Sequence, residues 1–249
     1  MPPTNLFWRT FRPAEGFYNS ELETPRRLPV RTFLPSGYEP NYAYPLLVFF
    51  HGHGGCEEQI LQLAPRLSRR NYISIGLRGP HKLKPDDAGR TRYSWGPDGR
   101  CDAIIEEYVF QAIEQTRRRY HVHSERIYLA GVCEGASLAY RLGLSFADRF
   151  AGVISLNGRK ARQGAPLMRL PEVRKLRVLI CHGIANAFVP LVEAKRDFRL
   201  FYAAGLSVRM RTYPTTHRLH PHMLRDIDRW IIDAISEEQA AYSETDAEA

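Results

Sequence analysis

The stretch Arg126–Gly143, RIYLAGVCEGASLAYRLG, constrains the fold of this chain more than any other. It opens on the apolar run Ile127-Tyr128-Leu129-Ala130 and turns through Gly131-Val132-Cys133-Glu134-Gly135. It then continues from Ala136 to Leu144 in small, helix-forming residues. The order is strand, tight turn, helix. Glycines two before and two after Cys133 let the chain fold back on itself. A residue at the tip of such a turn is held in strained backbone, with its side chain projecting beyond the strand end. The helix start behind it favours an anion there. A thiolate at Cys133 gains from that field, and the thiolate is the reactive form of cysteine. A buried turn cysteine between a strand and a helix can also be inert packing, so the weight of G-x-C-x-G rests on its partners elsewhere in the chain.

Those partners lie at the ends of other predicted strands. Leu46 to Phe50 is a continuous apolar run, as expected of a parallel strand covered on both faces, and it ends in His51-Gly52-His53-Gly54-Gly55. Helix-forming sequence follows from Glu57 to Arg70, and Tyr72 to Leu77 is the next strand. Asp102 can cap a helix in which Ile105, Val109, Ala112, Ile113 and Thr116 recur at helical spacing. Gly152 to Leu156 and Leu176 to Cys181 are further strands, and Val192 to Ala203 is a helix. Val208, Met210 and Thr212 alternate with arginines as in an edge strand, and Val30, Thr32 and Leu34 suggest an antiparallel edge. A last helix starts at Pro221. Leu6 to Arg12 suggests a short strand in an otherwise irregular residues 1–28, and 78–100 read as a long loop. Strands alternate with helices, so the class is α/β, a mostly parallel central sheet with helices on both faces. The chain is expected to form one domain over residues 1–240, followed by a frayed, disordered tail at 241–249.

Composition narrows the partners. With 44% hydrophobic and 25% charged residues, the chain can bury one sizeable core. No apolar run is long enough to span a membrane, and the N-terminus lacks the apolar core of an export signal. Four cysteines without a CxxC pair fit a reducing, cytoplasmic setting. The net charge of +8 is scattered, with Arg69-Arg70 and Arg117-Arg118-Arg119 at predicted helix ends, so no nucleic-acid partner is expected. The pairs His51/His53, His121/His123 and His220/His222 have no completing carboxylate cluster, so no metal and no cofactor is expected.

An acyl-transfer site on Cys133 needs an oxyanion hole, a base and a group that orients the base. The backbone N–H of Glu134 and that of His53, in the glycine-rich loop after the most apolar strand, suit the hole. The base belongs after the last strand, where Tyr213-Pro214-Thr215-Thr216-His217 places His217. His220 and His222, at the start of the final helix, read as solvated or capping. The orienter belongs in the loop His182–Pro190, where Asn186 stands at the position expected of a carboxylate. The loop after Gly152–Leu156 also lacks one and reads Asn157-Gly158, and Asp197 lies within the next helix.

In this set the chain resembles the phospholipase/carboxylesterase group of α/β-hydrolases, the short serine esterases and acyl-protein thioesterases with little or no cap. The matching segments are YPLLVFFHGHGG, RGP…YSW, RIYLAGVCEGASLAYRL, RFAGVISLNG, VLICHGIANAFVP and YPTTHRLHPHML, in that order between Tyr44 and Trp230. The resemblance implies a Ser-Asp-His triad, carried here by Cys133, Asn186 and His217. Two of these three positions depart from the pattern. Family members carry aromatics in the loop that is 78–100 here, which implies that Trp95 and Tyr93 line the acyl or alcohol pocket; packing is the equal alternative. Dienelactone hydrolases, a related group, also have a cysteine in this turn but keep the aspartate.

The two departures are chemically coupled. A thiol can pass its proton to histidine in advance, giving a thiolate–imidazolium pair, and an asparagine carbonyl can then suffice to hold the ring, as in Cys-His-Asn proteases. The expected activity is hydrolysis of a small carboxylic ester or thioester through an acyl-Cys133 enzyme. The alternative is an inactive homologue, a pseudohydrolase that binds a small ligand. A third reading is a redox thiol at Cys133 resolved by Cys56 or Cys181. The Glu134 carboxylate would raise the thiol pKa unless it points to solvent or pairs with an arginine, which is the expectation.

Overall fold

The computed structural model describes residues 13–22, 28–96, 102–161 and 173–247, with side chains to residue 240. Its frame is an eight-stranded sheet. The strands are β1 (Gly16–Glu21), β2 (Pro29–Leu34), β3 (Tyr44–Phe50), β4 (Ile73–Leu77), β7 (Val122–Val132), β8 (Gly152–Leu156), β9 (Arg177–Gly183) and β10 (Ser207–Tyr213), in the order β1-β2-β4-β3-β7-β8-β9-β10. From β4 to β10 every pairing is parallel, whereas β1 and β2 are antiparallel. A separate antiparallel hairpin, β5 (His81–Leu83) and β6 (Arg92–Ser94), lies inside the segment expected to be a loop.

The period of two along each strand divides the core. Leu46, Val48 and Phe50 of β3 face one layer with Ile127 and Leu129 of β7 and Val178 and Ile180 of β9. Leu47, Phe49, Tyr128, Ala130, Leu179 and Cys181 face the other. Every residue of β3 is buried, which explains its unbroken apolar run. Full burial of each such side chain contributes roughly 1.5–3 kcal/mol. The first layer is closed by α3 (Asp102–Arg119), α4 (Glu134–Ser145) and α5 (Leu191–Ala203). The second is closed by α1 (Glu57–Leu61), α2 (Ala64–Leu67) and α6 (Pro221–Ala247).

Three expectations are corrected. The edge beyond β2 is occupied by β1, whose polar Asn19, Ser20 and Glu21 hide a strand in a region read as irregular; Leu6–Arg12 lies outside the described residues. The final helix continues to Ala247, past the expected limit at 240. Asp102 lies in the first turn of α3 rather than ahead of it, and its carboxylate pairs with Arg141 of α4.

The chain leaves β3 toward β4 on one side and returns to β7 on the other. Loops after β3 and β7 therefore open side by side where the strand order reverses, the usual place for a site in such sheets.

Candidate active site

Cys133 sits between β7 and α4 with φ 53° and ψ −111°, a conformation that costs a non-glycine residue on the order of 1–3 kcal/mol. Its N–H is anchored to Leu156 O at 2.9 Å, and its carbonyl accepts the Ala136 N–H at 3.1 Å. The flanking glycines are sterically required. A Cβ on Gly131 would collide with the Gly135 carbonyl, and one on Gly135 with the Phe50 carbonyl.

The backbone N–H groups of Glu134 and His53 lie beside the Cys133 sulfur, where both favour its thiolate. The loop that carries His53 is held from behind. Gly54 N–H donates to Tyr93 O at 2.8 Å and Tyr93 N–H to Gly55 O at 3.2 Å. The Trp95 indole N–H donates to His51 O at 2.9 Å, and His51 Nε2 accepts the Gly79 N–H at 2.9 Å. Trp95 is buried against His51 and Phe50. It braces the loop. Tyr93 is half-buried beneath the Arg78 guanidinium, 4.6 Å from its ring centre, and Arg78 is in turn paired with the buried Glu57.

His217 and Asn186 are brought together: Nδ1 lies 3.0 Å from Asn186 Oδ1. An amide oxygen can only accept, so Nδ1 carries the proton and the Nε2 lone pair is free. Asn186 Oδ1 also accepts the N–H groups of Phe188 and Val189, each at 3.1 Å, while its Nδ2 is buried without a partner. The cradle thus offers three donors to one oxygen and nothing to the amide nitrogen, the donor set a carboxylate would use. No hydrogen bond joins Cys133 Sγ to His217 among the described residues.

Asn157 is a positioning residue that the motif reading passed over. It is fully buried with φ 53°. Its Oδ1 accepts the Gly183 N–H at 2.8 Å, and its Nδ2 donates to His217 O and Arg218 O, both at 3.1 Å. It ties the ends of β8 and β9 to the histidine loop. Asn followed by Gly after a buried strand is the sequence signal, since asparagine tolerates this backbone. Backbone bonds from Ile184 N–H to Tyr213 O (2.9 Å) and from Ala185 N–H to Thr215 O (3.1 Å) close the same seam. Asp197 is turned away onto the Lys160 N–H. His220 accepts the His222 N–H at 3.2 Å at the start of α6, as a cap does. Among the described residues no three His, Cys, Asp or Glu side chains gather where a metal could bind.

Two expectations about charge are overturned. Burial pushes the Cys133 thiol above its ordinary value; the Glu134 charge adds to this, and the two N–H groups and Arg159 oppose it. Burial, with His182 nearby, lowers the pKa of His217. Both shifts favour a neutral thiol beside a neutral imidazole over the ion pair. The Glu134 carboxylate neither points to solvent nor meets an arginine. Oε1 accepts the Ser94 hydroxyl at 2.6 Å and Oε2 lies 3.4 Å from His53 Nδ1.

A strained turn residue at the switch point, two converging amides and a histidine held by an amide oxygen define the class of α/β-hydrolases with a nucleophile elbow. The Phospholipase/Carboxylesterase family pattern matches residues 39–235, and the chain belongs to that family. It is 21% identical over 173 residues to the acyl-protein thioesterase 1 of Gibberella zeae, covering 64% of this chain and 70% of the relative. The fold is shared with a Bacillus cereus carboxylesterase (TM-score 0.66, 18% identity, 83% of this chain and 94% of that one). It is also shared with the Zea mays acyl-protein thioesterase 2 (TM-score 0.66, 17% identity, 82% and 98%). At family level the chemistry is that of a carboxylesterase-type or thioesterase-type hydrolase. No helix among the described residues is long and apolar enough to cross a membrane.

Proposed function

We propose that the protein hydrolyses small carboxylic esters or thioesters through an acyl-Cys133 intermediate. The observation that carries this reading is the strained turn that holds Cys133 at the switch point of the sheet, with the His53 and Glu134 N–H groups beside its sulfur. Donors so placed stabilise charge that develops on a carbonyl oxygen bonded to the nucleophile. Cys133 Sγ attacks the carbonyl carbon while His217 Nε2 takes the thiol proton. The tetrahedral oxyanion lies between the two amides. Collapse breaks the bond to the alcohol or thiol, which leaves with the proton from His217. Water, deprotonated by the same nitrogen, then attacks the acyl-cysteine and releases the acid. Asn186 holds the ring throughout.

Exposed apolar side chains lie close in sequence to Asn186. Ile184, Phe188 and Val192 are 53%, 81% and 64% exposed around the Asn186 loop, and the Phe188 ring lies 5.1 Å from that of His217. These side chains suit an apolar acyl or alkoxy group.

The second reading, a ligand-binding pseudohydrolase, is favoured by the neutral thiol and imidazole and by the absence of a bond between them among the described residues. Incubation with a p-nitrophenyl ester and, separately, with iodoacetamide distinguishes the two. Turnover that is lost in Cys133→Ala, with Cys133 alkylated faster than free cysteine, supports the hydrolase. Absence of both leaves the pseudohydrolase.

A further inference from the structure

The two residues whose amides lie beside the Cys133 sulfur also approach each other through their side chains. His53 Nδ1 is 3.4 Å from Glu134 Oε2, and Oε1 of the same carboxylate accepts the Ser94 hydroxyl at 2.6 Å. Ser94 ends β6, the strand whose Tyr93 exchanges backbone hydrogen bonds with Gly54 and Gly55, and its Oγ accepts the Gly96 N–H at 3.1 Å. The carboxylate therefore springs from the first turn of α4, packed on the sheet, and reaches both the loop that carries the other amide and the hairpin that braces that loop.

We infer that Glu134 is a positioning residue, a side-chain clamp that sets the separation of the two oxyanion amides. The inference rests on reading those amides as an oxyanion hole.

The need for a clamp follows from the loop itself. Of its five residues, His51-Gly52-His53-Gly54-Gly55, three are glycines, which lose more conformational freedom on ordering than any other residue. The Glu134 amide is fixed by the helix. The His53 amide is fixed only as well as its loop is. Oxyanion donors act at 2.7–3.1 Å from the developing charge, so a small drift of one donor is costly. Glu134 Oε2 is buried without a hydrogen-bond donor, and the nearest candidate is His53 Nδ1. An N–H on the His53 ring is the donor placed to satisfy it, and that contact draws the loop toward the helix. A carboxylate beside the nucleophile also raises the thiol pKa, so an electrostatic role in activating Cys133 does not account for it.

The test compares Glu134→Ala with Glu134→Gln in ester turnover and in hydrogen–deuterium exchange of the peptide covering residues 51–55. Glutamine keeps an acceptor for Ser94 and an amide that can pair with the His53 ring; alanine offers neither. The expectation is that Glu134→Ala lowers kcat about tenfold or more with KM within about twofold, because a donor is misplaced only in the transition state. Glu134→Gln lowers kcat by about threefold, one neutral hydrogen bond replacing a charged one. Loop amides exchange faster in the alanine variant than in the glutamine variant, with unchanged melting temperatures. Equal kinetics in the two variants, or unaltered loop exchange in Glu134→Ala, overturns the clamp. If the parent shows no turnover but Glu134→Ala still loosens the loop, the hydrolase reading fails and the clamp stands.

Discussion

Asn186→Asp is the substitution that most directly probes why this site holds an amide. Asn186 Oδ1 already accepts His217 Nδ1–H at 3.0 Å and two backbone N–H groups, while Nδ2 is buried with no acceptor. The aspartate removes the orphaned donor and places a negative charge against the imidazole. At about 4 Å and an effective dielectric of about 20, an ion pair is worth about 4 kcal/mol, equivalent to a pKa change of about three. Burying the new carboxylate takes back part of this, although its three donors limit that cost. A rise of about one to two in the His217 pKa is the expected outcome. It moves the thiol–imidazole proton equilibrium about 10- to 100-fold toward the ion pair. Alkylation gains less than the thiolate fraction does, since a thiolate of lower pKa is a weaker nucleophile. The assay is an NMR titration of His217 together with the iodoacetamide rate at Cys133 near neutral pH. Alkylation should quicken by about fivefold or more. An unchanged or lower His217 pKa, or slower alkylation, refutes the reasoning that Asn186 leaves the pair neutral.

Asn157→Asp replaces two donated hydrogen bonds with a carboxylate oxygen facing the carbonyls of His217 and Arg218, and it should destabilise by about 2–4 kcal/mol in chemical denaturation. Trp95→Phe preserves most of the buried area but loses the bond to His51 O. It should cost about 1–2 kcal/mol and lower kcat, because the oxyanion loop loses a brace. The pH profile of Cys133 alkylation should follow from the two shifts. His217, lowered by burial, is already neutral at pH 7, and the raised thiol ionises late, so the rate should climb into the alkaline range above the ordinary cysteine pKa. A plateau reached at acidic pH, the mark of a preformed ion pair, would contradict this.

The turn around Cys133 was legible because its signal is local: glycines at fixed spacing between a strand and a helix. The partners His217 and Asn186 were legible because the order of strand ends places them. What could not be read depends on contacts across the fold. Ser94 and Glu134 are 40 residues apart, and only the hairpin β5–β6 brings the hydroxyl to the carboxylate. The bond from the Trp95 indole to His51 O spans 44 residues of sequence and leaves no local signal. Burial raises the Cys133 thiol and lowers the His217 imidazole, and no pattern of residue types reveals burial, so the shift away from the ion pair expected by chemical analogy was not legible. β1 escaped notice because its exposed, polar residues carry no apolar alternation.

The central claim is that Cys133 carries the acyl group. The most direct measurement is intact-mass and peptide-mapping mass spectrometry of the protein quenched in acid during turnover of a p-nitrophenyl ester. An acyl adduct on the peptide holding Cys133 should appear with the p-nitrophenol burst and be absent from Cys133→Ala. Ester turnover that persists in Cys133→Ala, with no adduct on Cys133 in the parent, would contradict it.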